Sequence, residues 1–237
     1  TCRWTTGRSP ENGGVGDSAM LTSVGVHLGM RAGAEAALGT ADLSGVTVGV
    51  IGTGKVGGRL VGHLIRDSAR VIAMDPSAAA RSSLDAEYPN SITWVDSLPE
   101  LLAYQPQVLS PNALGGAISE SLVEDLAAAE VRLVCGGANN QLATDRVGDL
   151  LDHAGIVYAA DFCVNCGGVI QVAEELTGAD LDRARATVER VFDTTRSVLE
   201  RARGEGITPV RAAELEAQAR IAASLPEGPL TLSLIHI

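Results

Sequence analysis

The sequence predicts an α/β protein built on a doubly wound, mostly parallel sheet with helices on both faces, followed by a C-terminal helical extension. Three observations carry this. Short apolar runs alternate with amphipathic stretches from Val46 to Tyr158, and strands separated by helices of that length need right-handed crossovers and hence a parallel sheet. Gly52-x-Gly54-x-x-Gly57 stands where the first apolar run gives way to the first amphipathic stretch. After Asp161 no strand-like run remains, and the pattern becomes helical.

Residues Thr1 to Asp17 are rich in Gly and turn formers and read as loop. The opening carries no methionine and no structural preamble, so the expectation is a chain cut from something longer. Ser18 is placed to cap a helix running to Leu38, with apolar positions at Leu21, Val24, Leu28 and Ala32 and a stop at Gly39. Strands are expected at 46–51, 70–74, 92–95, 108–110, 131–135 and 156–159, and helices around 55–67, 77–87, 97–104, 118–129 and 144–153. Beyond them, Val169, Val172, Ala173 and Leu176 share one face of a helix over 165–176. A long charged helix follows over 180–203, then G-E-G, then a helix over 208–223. The apolar tail 225–237 signals no helical or strand partner; no physical account of it follows from its residues, and read-through is a fair alternative. The division that follows is a loop and linking helix (1–40), an α/β domain (41–165), C-terminal helices (166–224) and an unassigned tail (225–237).

The stretch 46–75 has the parts of a dinucleotide site in order: buried strand, glycine turn, helix, second strand, carboxylate. Gly52 allows the tight turn, Gly54 lets backbone approach a pyrophosphate, and Gly57 lets the helix pack on the sheet. Thr53, Lys55 and Val56 complete the turn, and phosphates are favoured at the positive end of the helix that begins near Lys55. Asp75 lies eighteen residues after Gly57 and can accept from the hydroxyls of an adenosine ribose. A carboxylate repels a 2′-phosphate, and Asp75 is followed by Pro76, Ser77 and alanines with Arg81 the nearest base, so NAD is favoured over NADP. The same geometry also allows Asp75 merely to cap the helix that starts at Ser77. With six strands expected, this is the Rossmann-type fold.

Composition narrows the partners. With 237 residues, 46% of them hydrophobic, the chain can fill one good-sized core. A formal charge of −11 argues against nucleic acid or an anionic membrane surface, and two Trp, three Tyr and two Phe leave few platforms for stacked bases. The longest uncharged stretch, Leu101 to Ser119, contains Pro106, Pro111, Asn112, Gln105 and Gln107, so it is no membrane span. A soluble, cytoplasmic protein is expected. Cys163 and Cys166 form a lone C-x-x-C, without a second pair or a histidine at ligand spacing, so these thiols, with Cys2 and Cys135, read as packing residues and no metal is expected. His27, His63, His153 and His236 are scattered singly and read as helix-face or surface residues. Lys55 is the only lysine in the chain.

Ligands in such sheets bind beyond the carboxyl ends of the strands. Three loops qualify there: S-P-N-A-L-G-G-A-I (110–118), C-G-G-A-N-N-Q-L (135–142) and D-F-C-V-N-C-G-G-V-I-Q-V (161–172). Each joins small residues to an amide side chain, which both donates and accepts. Turn formation alone also explains any one of these loops.

These segments, with R-W-T-T-G-R-S-P-E-N-G-G-V-G-D-S, G-T-G-K-V-G, I-V-Y-A-A-D and V-N-C-G-G-V-I-Q-V-A-E-E-L, resemble the glutamate/leucine/phenylalanine/valine dehydrogenase family over about residues 3 to 222, most closely its branched-chain members. The resemblance implies NAD-dependent, reversible oxidative deamination of a branched-chain L-amino acid (valine or leucine) to its 2-oxo acid, in an enzyme expected to be a homo-oligomer. It assigns Thr22 to the nicotinamide amide and Asn112 and Ala113 to the loop beside the adenosine side. Ala138, Asn139 and Asn140 fall where nicotinamide and substrate are oriented, Asn165 near the substrate, and Val169 and Val172 against its side chain. Two valines suit an aliphatic substrate. Cys166 departs from the family's usual Ala, and Asn112 from the Cys frequent among branched-chain members. The family's catalytic residues, two lysines and an aspartate, belong to a domain that would precede Thr1, so no catalytic residue is expected within this chain. The chain alone is therefore expected to bind NAD without turning over amino acid, since a proton-transfer lysine tuned by burial is lacking. Two other readings are a stand-alone NAD-binding regulatory module and another Rossmann oxidoreductase such as a 2-hydroxy acid dehydrogenase. The latter needs a His–carboxylate pair and an Arg in the late loops, where none of the histidines falls.

Overall fold

The computed structural model describes residues 6–176 and 178–224. The readings of the tail 225–237, of Cys2 and of His236 fall outside the described residues. Strands β1 (Thr47–Ile51), β2 (Arg70–Met74), β3 (Ile92–Trp94), β4 (Val108–Pro111), β5 (Leu133–Val134) and β6 (Val157–Tyr158) form one sheet. Its order is β3-β2-β1-β4-β5-β6, and every pairing is parallel. The last two strands are shorter than the apolar runs suggest. The amides of Val131 and Ile156 are taken by the preceding helical turns, at Leu126 O and Leu151 O, so strand pairing starts later. Strand order reverses between β1 and β4, which is where this fold opens its ligand crevice.

Alternation along the strands fills two cores. Val48 and Val50 of β1, Val71 and Ala73 of β2, Val108 and Leu133 face one side; Ile72, Leu109 and Val134 face the other. Helix α2 (Lys55–Arg66) covers the first side with Leu60, Val61 and Leu64, joined by Val26, Met30 and Ala34 of α1 (Ala19–Leu38). Helix α3 (Ala78–Glu87) follows β2. The second side is covered by α4 (Leu98–Leu102), α5 (Glu120–Ala128) and α6 (Arg146–His153) through Leu101, Leu122, Leu126, Val147 and Leu151. Full burial of each such side chain is worth about 1.5–3 kcal/mol.

Helix α1 ends as its sequence predicts, with Gly39 in the left-handed region at φ 80° and its amide on Glu35 O. Its start is different. The Ser18 side chain makes no cap bond; the Asp17 carboxylate takes the Ala19 amide instead, at 3.0 Å. Helix α1 is also buried on two sides, because Leu21, Val24 and Leu28 pack with α9 (Leu181–Glu189) and its neighbours.

The C-terminal third departs most from expectation. Residues 165–176 form α8 (Gly167–Ala173) and a short 3-10 turn (Glu174–Leu176), preceded by α7 (Asp161–Val164). The buried side chains there are Gln171 and Glu175, whereas Val169 is 69% and Leu176 51% exposed. The apolar face thus points outward, because the polar one meets main-chain groups of the loop 8–17. The helix expected over 180–203 is two: α9 and α10 (Val191–Glu205) turn at Arg190, which lets Val188 and Val191 share a cluster with Leu21. Gly206 caps α10 at φ 65°, and α11 (Pro209–Ser224) follows. Val198, Ala202, Ala212 and Ala213 then join the core on the second side, so these helices find apolar partners within the chain.

Candidate functional site

The glycine turn lies at the carboxyl end of β1, beside the point where strand order reverses. Gly52 has φ 87°, a conformation that costs a Cβ-bearing residue about 1–2 kcal/mol, and a Cβ there would stand 2.8 Å from that of Ala113. At Gly57 an added Cβ would lie 2.0 Å from Gly52 O. Gly54 differs: a Cβ there would meet no protein atom within 4 Å. Two of these glycines serve packing, and the middle one leaves open space over the first turn of α2. That space, bordered by unpaired amides at a helix N-terminus, fits a diphosphate. Lys55 lines a cleft of about 530 Å³ along α2 together with Arg59, His63 and Arg66, and Arg59 is paired with Asp17 at 3.0 Å.

Asp75 sits at the end of β2. Its Oδ2 accepts from Thr53 N at 2.7 Å and Thr53 Oγ1 at 3.0 Å, and its Oδ1 from Ser77 N at 2.8 Å. Burial alone would raise this carboxyl, but the bonds from Thr53 and Ser77, with Arg81 nearby, hold it below the ordinary aspartate value. Ser77 itself caps α3, accepting from Ala80 N. The carboxylate therefore closes the glycine turn onto β2 and keeps one open lone pair on Oδ1, against the two ribose bonds expected from sequence. With Pro76, Ala78, Arg81 and Asp96 it borders a surface cavity of about 490 Å³.

Across the crevice, Asn112 is turned inward: its Nδ2 donates to Ser110 O at 2.9 Å, and its Oδ1 accepts from Gly137 N at 2.9 Å. Its side chain joins two loops and its amide donates to Ile51 O at 2.7 Å, so its carbonyl and the backbone of Ala113 remain for a ligand. Asn140 adopts φ 52° and its carbonyl accepts from Gly116 N at 2.7 Å. Ala138 is buried. Asn165 Nδ2 donates to Asn139 Oδ1 at 2.7 Å, which joins two of the candidate loops. The Thr22 hydroxyl gives its proton to Ser18 O at 2.9 Å and faces α8, where a Cβ on Gly168 would stand 2.6 Å from it; its lone pairs are left to accept. Val172 is half-buried on the same helix. An unbroken series of contacts thus runs from Asp75 through the glycine turn, Ala113, the 137–140 loop and Asn165 to α8 and Thr22.

Sequence reasoning passed over two residues that hold this edge together. Gln141 is fully buried, and its Nε2 donates to Gly136 O at 2.7 Å and Ala138 O at 2.9 Å. Asp161 accepts from Phe162 N at 2.9 Å and from Gln141 N at 3.4 Å. A lone Gln after Asn-Asn and an Asp after a strand carried no signal beyond turn chemistry. The described cysteines behave as packing residues: burial pushes the Cys135 thiol up and that of Cys163 up to about 12. His27, His63 and His153 all lie on helices, His27 paired with Asp67 at 2.6 Å and stacked on His63. Burial, next to His27 and Arg66, pushes His63 down to about 4. Among the described residues no cluster of His, Cys, Asp and Glu could hold a metal ion, and no helix is long and apolar enough to cross a membrane.

Comparison with known proteins gives this geometry a lineage. The chain is 46% identical over 221 residues to a valine dehydrogenase of Streptomyces albus and 36% identical over 219 residues to a leucine dehydrogenase of Bacillus cereus. These matches cover 93% and 92% of the chain. It spans only 60% and 58% of those relatives' lengths. Among solved structures, the L-tryptophan dehydrogenase of Nostoc punctiforme superposes with a TM-score of 0.80 at 30% identity, covering 87% of this chain and 61% of that one. Residues 77–224 match the family model described as glutamate/leucine/phenylalanine/valine dehydrogenase, and the chain belongs to that family.

Proposed function

We propose that this chain is the NAD-binding portion of an amino acid dehydrogenase that reversibly deaminates a branched-chain L-amino acid to its 2-oxo acid and ammonium. The observation that carries the reading is the turn 52–57, with open space over Gly54 at the sheet's switch point, in a chain 46% identical to a valine dehydrogenase. Residues 41–165 would form the cofactor domain, with 1–40 and the helices 166–224 linking it to the remainder of a homo-oligomeric enzyme.

The diphosphate would lie on Gly52, Thr53, Gly54, Lys55, Val56 and Gly57, where main-chain amides offset its charge. Asp75 and Pro76 would take the adenosine ribose. Ala113, Asn112 through its backbone, Ala138, Asn139 and Asn140 would border the crevice toward the nicotinamide, and Thr22 would accept from the carboxamide. The bound dinucleotide supplies a hydride acceptor. Around it, the Asn139–Asn165 pair presents an amide group to the substrate, and Val169 and Val172 offer dispersion contacts and exclude water from an aliphatic side chain. Proton transfer is assigned to the part of the enzyme that the matched relatives have beyond the share this chain spans. Lys55 stands at the phosphate turn and cannot serve there. Titration of the chain with NADH, followed by fluorescence, should saturate; absence of binding would remove the reading.

A further inference from the structure

The cavity beside Asp75 contains a cation whose charge is already neutralised. Arg81, on α3, lies over the end of β2. Its Nε donates to the main-chain oxygen of Asp75 at 2.6 Å, and one terminal nitrogen donates to Val95 O at 3.1 Å. The same nitrogen is 2.8 Å from Asp96 Oδ1, and the guanidinium lies 5.4 Å over the Trp94 ring. These contacts fix the group in place, with one of its terminal nitrogens, Nη1, still offering donors to the cavity. Asp96, just past β3, is 80% exposed at its side chain, while its amide is held by Glu100 at 3.0 Å. Met74, Asp75, Pro76, Ala78, Arg81 and Asp96 together line about 490 Å³.

We propose that Asp96 is a specificity-determining residue. By pairing with Arg81 it neutralises a cation placed to receive a 2′-phosphate, and it adds a second carboxylate to the cavity that would hold that phosphate. This rests on the dinucleotide reading above. The argument is geometric. A 2′-substituent on a ribose held at Asp75 extends over Pro76, Ala78 and Arg81, since these residues form the cavity wall next to the carboxylate. An arginine there binds a phosphate oxygen pair well, and here its charge is paired with the neighbouring Asp96 carboxylate through one terminal nitrogen. Asp75 alone is an incomplete discriminator, because Thr53 and Ser77 occupy three of its acceptor positions. Rejection of a phosphate dianion is therefore shared between two carboxylates just past the ends of the adjacent strands β2 and β3, with Arg81 as a latent anion site between them.

The test is paired fluorescence titration of the full chain with NADH and NADPH. In Asp96→Asn the ratio of NADPH to NADH affinity should rise about tenfold, equivalent to ~1.4 kcal/mol. Adding Arg81→Gln to that variant should return the ratio to the parental value. The control Asp125→Asn removes the same charge from α5, on the other side of the sheet, and should leave the ratio unmoved. An unchanged ratio in Asp96→Asn with NADH still bound overturns the assignment of Asp96 and leaves the dinucleotide site standing. An equal rise in Asp125→Asn also overturns it, by making the effect one of net charge. If the parent chain binds neither nucleotide, the underlying reading fails instead. Melting curves of each variant identify any that lose the fold, and for these Asp96→Ser and Arg81→Met repeat the measurement.

Discussion

Gly54 and Gly57 are three residues apart in one turn, yet replacing each should have opposite signatures. A methyl at 57 collides with Gly52 O, so Gly57→Ala should lower the melting temperature, with a cost of about 1–3 kcal/mol for overpacking. A methyl at 54 meets no protein atom, so Gly54→Ala should keep the melting temperature while weakening NADH binding at least tenfold; comparing melting curves with titrations distinguishes the two. Asp75→Ala should weaken NADH binding by about 1–3 kcal/mol, partly through the turn, since Thr53 N and Oγ1 lose their acceptor. An affinity unchanged in this variant removes Asp75 from the site. At this scale the sequence was informative about residue types at fixed spacings, because glycine and carboxylate requirements are local. It was silent on the inward turn of Asn112 and the saturation of Asp75 Oδ2, which depend on loops brought together from distant parts of the chain.

Helix α8 shows that a shared apolar face need not be the buried one. Val169, Val172, Ala173 and Leu176 do share a face, but burial follows Gln171 and Glu175, whose partners are loop backbone. Glu175 accepts from Val15 N at 3.0 Å, Arg8 N at 3.2 Å and Arg8 Nε at 3.4 Å, and Gln171 Nε2 donates to Val15 O at 2.8 Å. Hydropathy ranks apolar side chains as the interior face, and it carries no information on a loop that needs polar partners. Burial would raise the Glu175 carboxyl, yet the bonds from Val15 and Arg8 hold it below the ordinary value. Its ionised form therefore favours the folded state. That contribution is complete above the ordinary glutamate value, near 4.5, and is lost as pH falls through the lower folded value. Thermal melts from pH 7 to pH 3 should show this loss in the parent and a flatter profile in Glu175→Gln. Glu175→Ala, which leaves two loop amides unpaired, should cost about 1–3 kcal/mol at pH 7. A parallel pH profile in parent and Gln variant would rule out the clasp.

For the molecule as a whole, strand order and the switch point follow from chain alternation, since parallel crossovers leave few topologies. The partners of the C-terminal helices did not follow, because the turn at Arg190 and the packing of α7 and α10 on α1 depend on close fits such as Gly29 against Val164 and Thr195. The chemistry that the described residues bring together is equally physical. The one lysine lines the cleft along α2 with Arg59 and Arg66, next to the glycine turn. The residues gathered near α8, Thr22, Asn139, Asn165, Val169 and Val172, carry no group that titrates near neutral pH. Deamination needs a group that exchanges protons in that range. Supplied with valine or leucine and NAD, the 237-residue chain should thus give no NADH absorbance above background, while still binding added NADH. Turnover that survives Lys55→Met would require a proton-transfer group elsewhere in this chain, and would overturn the assignment of that step to the remainder of the enzyme.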